Sequence, residues 1–89
     1  MIRRRVVVHG LVQGVFFRDS VRRRAMSTGV GGWVRNTRDG SVEAHIQGDP
    51  DAVEKMVQWM RHGPSQARVE NVAVEEVEPE DVSGFSVRV

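Results

Sequence analysis

The chain has 89 residues, 13 of them basic and 12 acidic, with a formal net charge of +1 and no cysteine. That length admits one small domain, read as residues 1–89, near the size at which a single hydrophobic core just suffices for folding. The balanced charge excludes a general pull toward nucleic acid or an anionic membrane, and the missing cysteines exclude disulfides, thiolate nucleophiles and cysteine metal sites.

Arg4 to Leu11 carries Val6, Val7 and Val8, a β-branched run bounded by Gly10 that predicts a strand. After a glycine-containing loop, Phe17, Val21, Ala25 and Thr28 fall at helical intervals and predict a helix over Arg18 to Thr28, with Gly29 as its C-terminal cap. Residues 30–37 and 41–48 flank Arg38-Asp39-Gly40 and predict a hairpin. In its second strand Val42, Ala44 and Ile46 alternate with Glu43, His45 and Gln47, the pattern of one buried and one wet face.

Asp49 as a cap, Pro50 at the first position and Asp51 against the dipole start a second helix. Val53, Met56, Val57 and Met60 form its core face, and Gly63-Pro64 stops it. Residues 68–78 return to strand character, with the valine spacing slipping at Val69 to Val72 and at Val74 to Val77, which predicts a bulge or bend. Phe85, Val87 and Val89 alternate as a short terminal edge strand. The order βαββαβ plus a final strand is that of an α+β sandwich, ferredoxin-like, with both helices on one face of an antiparallel sheet.

The stretch from Gly10 to Arg18, GLVQGVFFR, leaves a strand, turns over glycine and starts a helix, which aims backbone N–H groups and the positive dipole end at one spot. Arg18 sits at the unfavourable end of that dipole and asks for an anion, either Asp19 or a bound phosphate. Asn36 ends the strand before the hairpin, where its amide either caps the turn or, beside the loop, orients a water. His9, His45 and His62 form no spaced ligand set. The clusters Arg3 to Arg5 and Arg22 to Arg24 keep open a small RNA- or ligand-binding module of the same topology, although the third strand offers Glu43, His45 and Gln47 where such a module needs exposed aromatics.

GLVQGVFFR and GWVRNTRDGSV, followed by Gly48, resemble the two signature segments of the acylphosphatases. Gly10, Val12, Gln13, Gly14, Val15, Phe17 and Arg18 fit the first segment, and Gly32, Trp33, Asn36, Gly40, Val42 and Gly48 the second. The resemblance implies hydrolysis of carboxyl-phosphate anhydrides without a metal or organic cofactor. It further implies that the amides of Gly14, Val15, Phe16, Phe17 and Arg18 cradle the phosphoryl oxygens, that the Arg18 guanidinium clamps them, and that Asn36 positions the attacking water.

Such a reaction needs no general acid, because the departing carboxylate has a conjugate acid of pKa about 4. Phosphoryl transfer then rests on positioning and on stabilising charge on the equatorial oxygens. A small-molecule acyl phosphate is the expected partner, with inorganic phosphate as product and competitive ligand and with neither nucleic acid nor membrane. No apolar run reaches the roughly 20 residues that span a bilayer, and MIRRRVVVHG does not read as a signal peptide, so a cytoplasmic monomer is expected.

Overall fold

The computed structural model describes residues 1–89. Along the chain come β1 (Ile2–Leu11), α1 (Phe17–Thr28), β2 (Gly31–Asn36), β3 (Val42–Gly48), α2 (Pro50–Met60), β4 (Arg68–Val77) and β5 (Phe85–Arg88). The strands form one sheet in the order β4-β1-β3-β2-β5. With both helices on one face, this is the ferredoxin-like α+β fold that the element order predicts.

The sheet is mixed, not antiparallel throughout. β1 pairs antiparallel with β3 and β4, and β2 with β3, but β5 runs parallel to β2. The reason lies in where the chain turns. β4 ends with Val77 opposite Arg3, and β5 begins with Phe85 opposite Gly32, at the same end of the sheet. A chain that crosses that end can only re-emerge in the direction of β2.

Strand parity fills the core. Val6 and Val8 of β1, Val34 of β2 and Val42, Ala44 and Ile46 of β3 turn to the helices, which answer with Phe17, Val21 and Ala25 from α1 and Val53, Met56, Val57 and Met60 from α2. Thr28 does not join this stripe; it is exposed, and its hydroxyl donates to the Arg24 carbonyl at 2.8 Å. Asp49 occupies the N-cap position of α2, but its side chain makes no capping bond. Its carbonyl accepts from the Val53 N–H at 3.0 Å, and Pro50 supplies the helical φ that starts the element.

The other face of the sheet is not wet along β3. Glu43 is only 5% exposed and Arg3 only 2%. Arg5 and Arg35 lie over Glu43, donating through Nε at 2.6 and 2.8 Å. Gln47 is covered by the crossover between β4 and β5: its amide donates to the Glu80 carbonyl at 2.7 Å and accepts from the Glu80 N–H at 2.9 Å. Alternation along β3 is real, but long arginine stems and a passing backbone close the polar side.

Only one of the two valine slips is a bulge. Pairing of β1 with β4 shifts between His9 and Gly10, so Glu70 is the extra residue. Gly10 is obligatory there, since a Cβ at its φ of 132° would stand 2.1 Å from the Arg68 carbonyl oxygen. At Val74 to Val77 the register is unbroken. Val74 pairs with Val6 on the helix side and Val77 with Arg3 on the opposite one, so valine simply changes face.

Candidate active site

β1, β2 and β5 all finish at the end of the sheet where α1 begins. The loop between β1 and α1 takes two left-handed steps, Gly14 at φ 75° and Phe16 at φ 60°. Left-handed residues that alternate with right-handed ones can turn successive N–H groups to one side, a concavity suited to an anion. Phe16 is also the N-cap of α1 and makes no side-chain capping bond. The first intrahelical donor is Ser20, whose N–H reaches the Phe16 carbonyl at 3.0 Å, so helix geometry leaves the N–H groups of Phe17, Arg18 and Asp19 without a helical partner. Phe17 anchors this concavity from below, buried to 1% exposure and tilted against Trp59 with ring centroids 5.9 Å apart.

Asn36 continues the helix-facing line of Gly32 and Val34, because it pairs with Val42 as they pair with Ile46 and Ala44. Parity therefore swings its amide toward the start of α1. Arg18 and Asn36, together with Gly14, Phe16 and Phe17, line one cleft of about 510 Å³. Val15 is not in that lining; its side chain is half-buried against the core.

The protein partners of Asp19, Arg18 and Asn36 bear on the alternatives that the residues alone left open. Asp19 pairs with Arg23 at 3.1 Å, one helical turn on, and does not pair with Arg18. The Arg18 guanidinium makes one hydrogen bond, at 3.3 Å from Nη1 to the Arg88 carbonyl of β5, and no ion pair. Nor does Asn36 cap the turn. Its Oδ1 is buried without any hydrogen-bond partner, an expensive state for an amide oxygen. The turn is held instead by Asp39, which accepts from the Thr37 hydroxyl, from Ser41 Oγ at 2.7 Å and from the Ser41 N–H at 3.1 Å. Those bonds from Thr37 and Ser41 hold the Asp39 carboxyl well below the usual carboxylate range.

Gln13 has a role that the sequence does not disclose. Its Nε2 donates at 2.8 Å to both the Thr37 and the Ser41 carbonyls. One loop side chain thus clips the neck of the β2–β3 hairpin, immediately after Asn36, to the turn that carries the N–H groups. A polar residue between buried Val12 and left-handed Gly14 was the available signal, but nothing in the sequence points it at the hairpin. Val87 and Arg22 also line the cleft and were not foreseen. No group of three or more His, Cys, Asp or Glu side chains is arranged to hold a metal ion.

The family model for acylphosphatase matches residues 4–87. The chain belongs to the acylphosphatase family. Over 86 residues it is 57% identical to an acylphosphatase of Rubrobacter xylanophilus, covering 94% of this chain and 77% of that one. It is 50% identical to the acylphosphatase of Thermococcus kodakarensis, covering 97% and 94%. The solved structure of an acylphosphatase from Coxiella burnetii superposes with a TM-score of 0.94 at 45% identity, covering 98% of this chain and 92% of that chain. The activity of this acylphosphatase is hydrolysis of the carboxyl-phosphate anhydride bond of acyl phosphates, giving a carboxylate and inorganic phosphate.

Proposed function

We propose that the phosphoryl group is held by the amides of residues 14–18 and the Arg18 guanidinium, and that the Asn36 amide orients the attacking water. The observation that carries this reading is the pairing, in one cleft, of an arginine without a carboxylate and a buried amide oxygen without a donor. A phosphoryl group satisfies the first, since a guanidinium matches two phosphate oxygens at once. The Asn36 carboxamide, which lines the same cleft, holds the water with a lone pair of its oxygen toward phosphorus.

Catalysis in this scheme is electrostatic and positional. Amides and Arg18 stabilise charge on the three equatorial oxygens as the anhydride bond lengthens, while the carboxylate departs unprotonated. The proton of the water passes to a phosphoryl oxygen, so no metal, organic cofactor or histidine is required. The protein acts, in this reading, as a cytoplasmic monomer on a small molecule, with inorganic phosphate as competitive ligand. A nucleic-acid-binding role finds little support on the open face. Trp33 is stacked on His45 of β3 at 4.5 Å and covered by the Arg88 guanidinium of β5 at 4.4 Å, which leaves no ring face for a base.

Replacing Asn36 with Ala tests the division of labour. Benzoyl phosphate turnover is expected to fall roughly a hundredfold or more, the scale of a lost positioning group, while inorganic phosphate still inhibits with near-normal affinity. Near-normal kcat in this variant would remove Asn36 from the mechanism.

A further inference from the structure

We propose that Arg22 is a specificity residue for the far end of the substrate, selecting acyl phosphates of dicarboxylic acids by pairing with their free carboxylate. This rests on the placement of the phosphoryl group in the 14–18 loop.

Arg22, Arg23 and Arg24 are consecutive exposed arginines of α1 with three different surroundings. Arg24 lies over the Trp59 ring, its Cζ 4.6 Å from the centroid, and so covers the flank of α2. Arg23 holds the Asp19 carboxylate at 3.1 Å. Arg22 has neither kind of partner, and it is the one of the three that lines the cleft.

The pairing of Asp19 is informative. It stands three residues before Arg22 and four before Arg23, and both separations bring side chains together on a helix. Asp19 also lines the cleft, and its bond to Arg23 neutralises it there without engaging Arg22. The charge left in the cleft is that of two guanidiniums, Arg18 and Arg22, one helical turn apart. Like charges at that spacing repel, and nothing in the fold offsets the repulsion at Arg22.

A substrate with an anion at each end offsets it. Cβ atoms four residues apart on a helix are about 5–6 Å from each other, and the arginine stem carries the charge of Arg22 further still. With phosphorus held beside Arg18, a carboxylate borne one short chain or one ring further along the acyl group falls within reach of Arg22. A monocarboxylic acyl group leaves Arg22 in water, where it contributes nothing to binding.

The test compares para-carboxybenzoyl phosphate with para-carbamoylbenzoyl phosphate, which has the same shape without the second charge. The rigid ring also keeps that carboxylate from attacking its own acyl carbon. The ratio of the two kcat/KM values is measured for wild type, Arg22→Gln, Arg22→Glu, Arg22→Lys and Lys55→Gln. Arg22→Gln is expected to lower the ratio roughly fivefold through KM for the carboxylated substrate, the scale of an exposed ion pair, and Arg22→Glu roughly twentyfold, since it adds repulsion. Arg22→Lys keeps it within about twofold, because an exposed pair with one carboxylate needs charge rather than a planar fork. Lys55→Gln removes the same charge from an exposed position on α2 outside the cleft and leaves the ratio unchanged. A ratio within about twofold of wild type in both Arg22→Gln and Arg22→Glu overturns the proposal, as does an equal fall in Lys55→Gln. Arg18→Ala is run beside them: if that variant hydrolyses both substrates normally, the placement of phosphate in the loop is what has failed.

Discussion

On the open face of the sheet, Arg5 and Arg35 share the carboxylate of Glu43, with contacts of 2.6 Å from each. In the cleft, Arg18 meets only a main-chain carbonyl at 3.3 Å, and Arg22 has no carboxylate at all. The two regions draw on the same residue type and spend it differently. Where charge is cancelled internally, arginine covers and staples the sheet; where it is left without a carboxylate at a helix N-terminus, it is suited to an anion from outside. A count of basic residues cannot see this difference, since it depends on which strand or helix face each one occupies.

Breaking the comparison at its free end should have the largest effect. Arg18→Ala is expected to reduce kcat/KM for benzoyl phosphate roughly a thousandfold or more, with loss of inhibition by inorganic phosphate. Arg18→Lys should recover little, because a point charge lacks the planar fork. Arg35→Ala is the matched control from the open face. It keeps activity within about twofold while lowering stability by roughly 1 kcal/mol, the scale of a half-exposed ion pair. Steady-state kinetics and urea unfolding on the three variants read both quantities, and equal activity losses at Arg18 and Arg35 would erase the distinction.

A smaller effect is expected where the two halves of the site are joined. Gln13→Leu removes both 2.8 Å bonds to the hairpin neck and should lower kcat roughly tenfold, leaving KM and phosphate inhibition nearly unchanged. Gln13→Glu should do no better, since a carboxylate cannot donate to two carbonyls. A structural defect alone would weaken phosphate binding along with kcat, so the split between the two is the diagnostic quantity.

The helices, the strands and most of the core were legible because their signals are local. Val53, Met56, Val57 and Met60 repeat at helical spacing, and Val42, Ala44 and Ile46 alternate, whatever the rest of the chain does. The loop was legible as a motif, and Asn36 as a polar residue at a strand end. What escaped were properties set by a distant partner. The direction of β5 depends on where the crossover turns, the burial of Glu43 and Gln47 on arginines and a backbone from elsewhere, and the target of Gln13 on a hairpin 24 residues away. Phe16 and Phe17 make the point at closest range. Adjacent and identical, they divide into an exposed ring and a buried one only because the first is left-handed and the second opens a helix.

The neutralised face carries the most modest prediction, a dependence of stability on pH. Burial alone would raise the Glu43 carboxyl, but hydrogen bonds from Arg35 and Arg5 and their charges outweigh it and hold it below its ordinary value of 4.5. Burial, with the nearby Arg3 charge, pushes the His45 imidazole below 6.5. Both groups bind fewer protons folded than unfolded in the window below those values, so both make stability fall as pH falls. His45 acts first, from about pH 6.5 downward, because the neutral ring accepts from Arg3 Nη2 at 3.1 Å through Nδ1 and a proton there would oppose the arginine. Glu43 follows below about pH 4.5, where its carboxylate is lost to Arg5 and Arg35 together. Glu43→Gln should cost roughly 1–3 kcal/mol at pH 7, and the gap to wild type should close as the pH drops through that lower window. His45→Asn, which keeps an acceptor near the position of Nδ1 but cannot titrate, should flatten only the upper part of the curve. Urea midpoints measured from pH 7.5 to 3.5 separate the two steps, and a gap between wild type and Glu43→Gln that persists unchanged at the acid end would show that the paired carboxylate is not what holds the open face together.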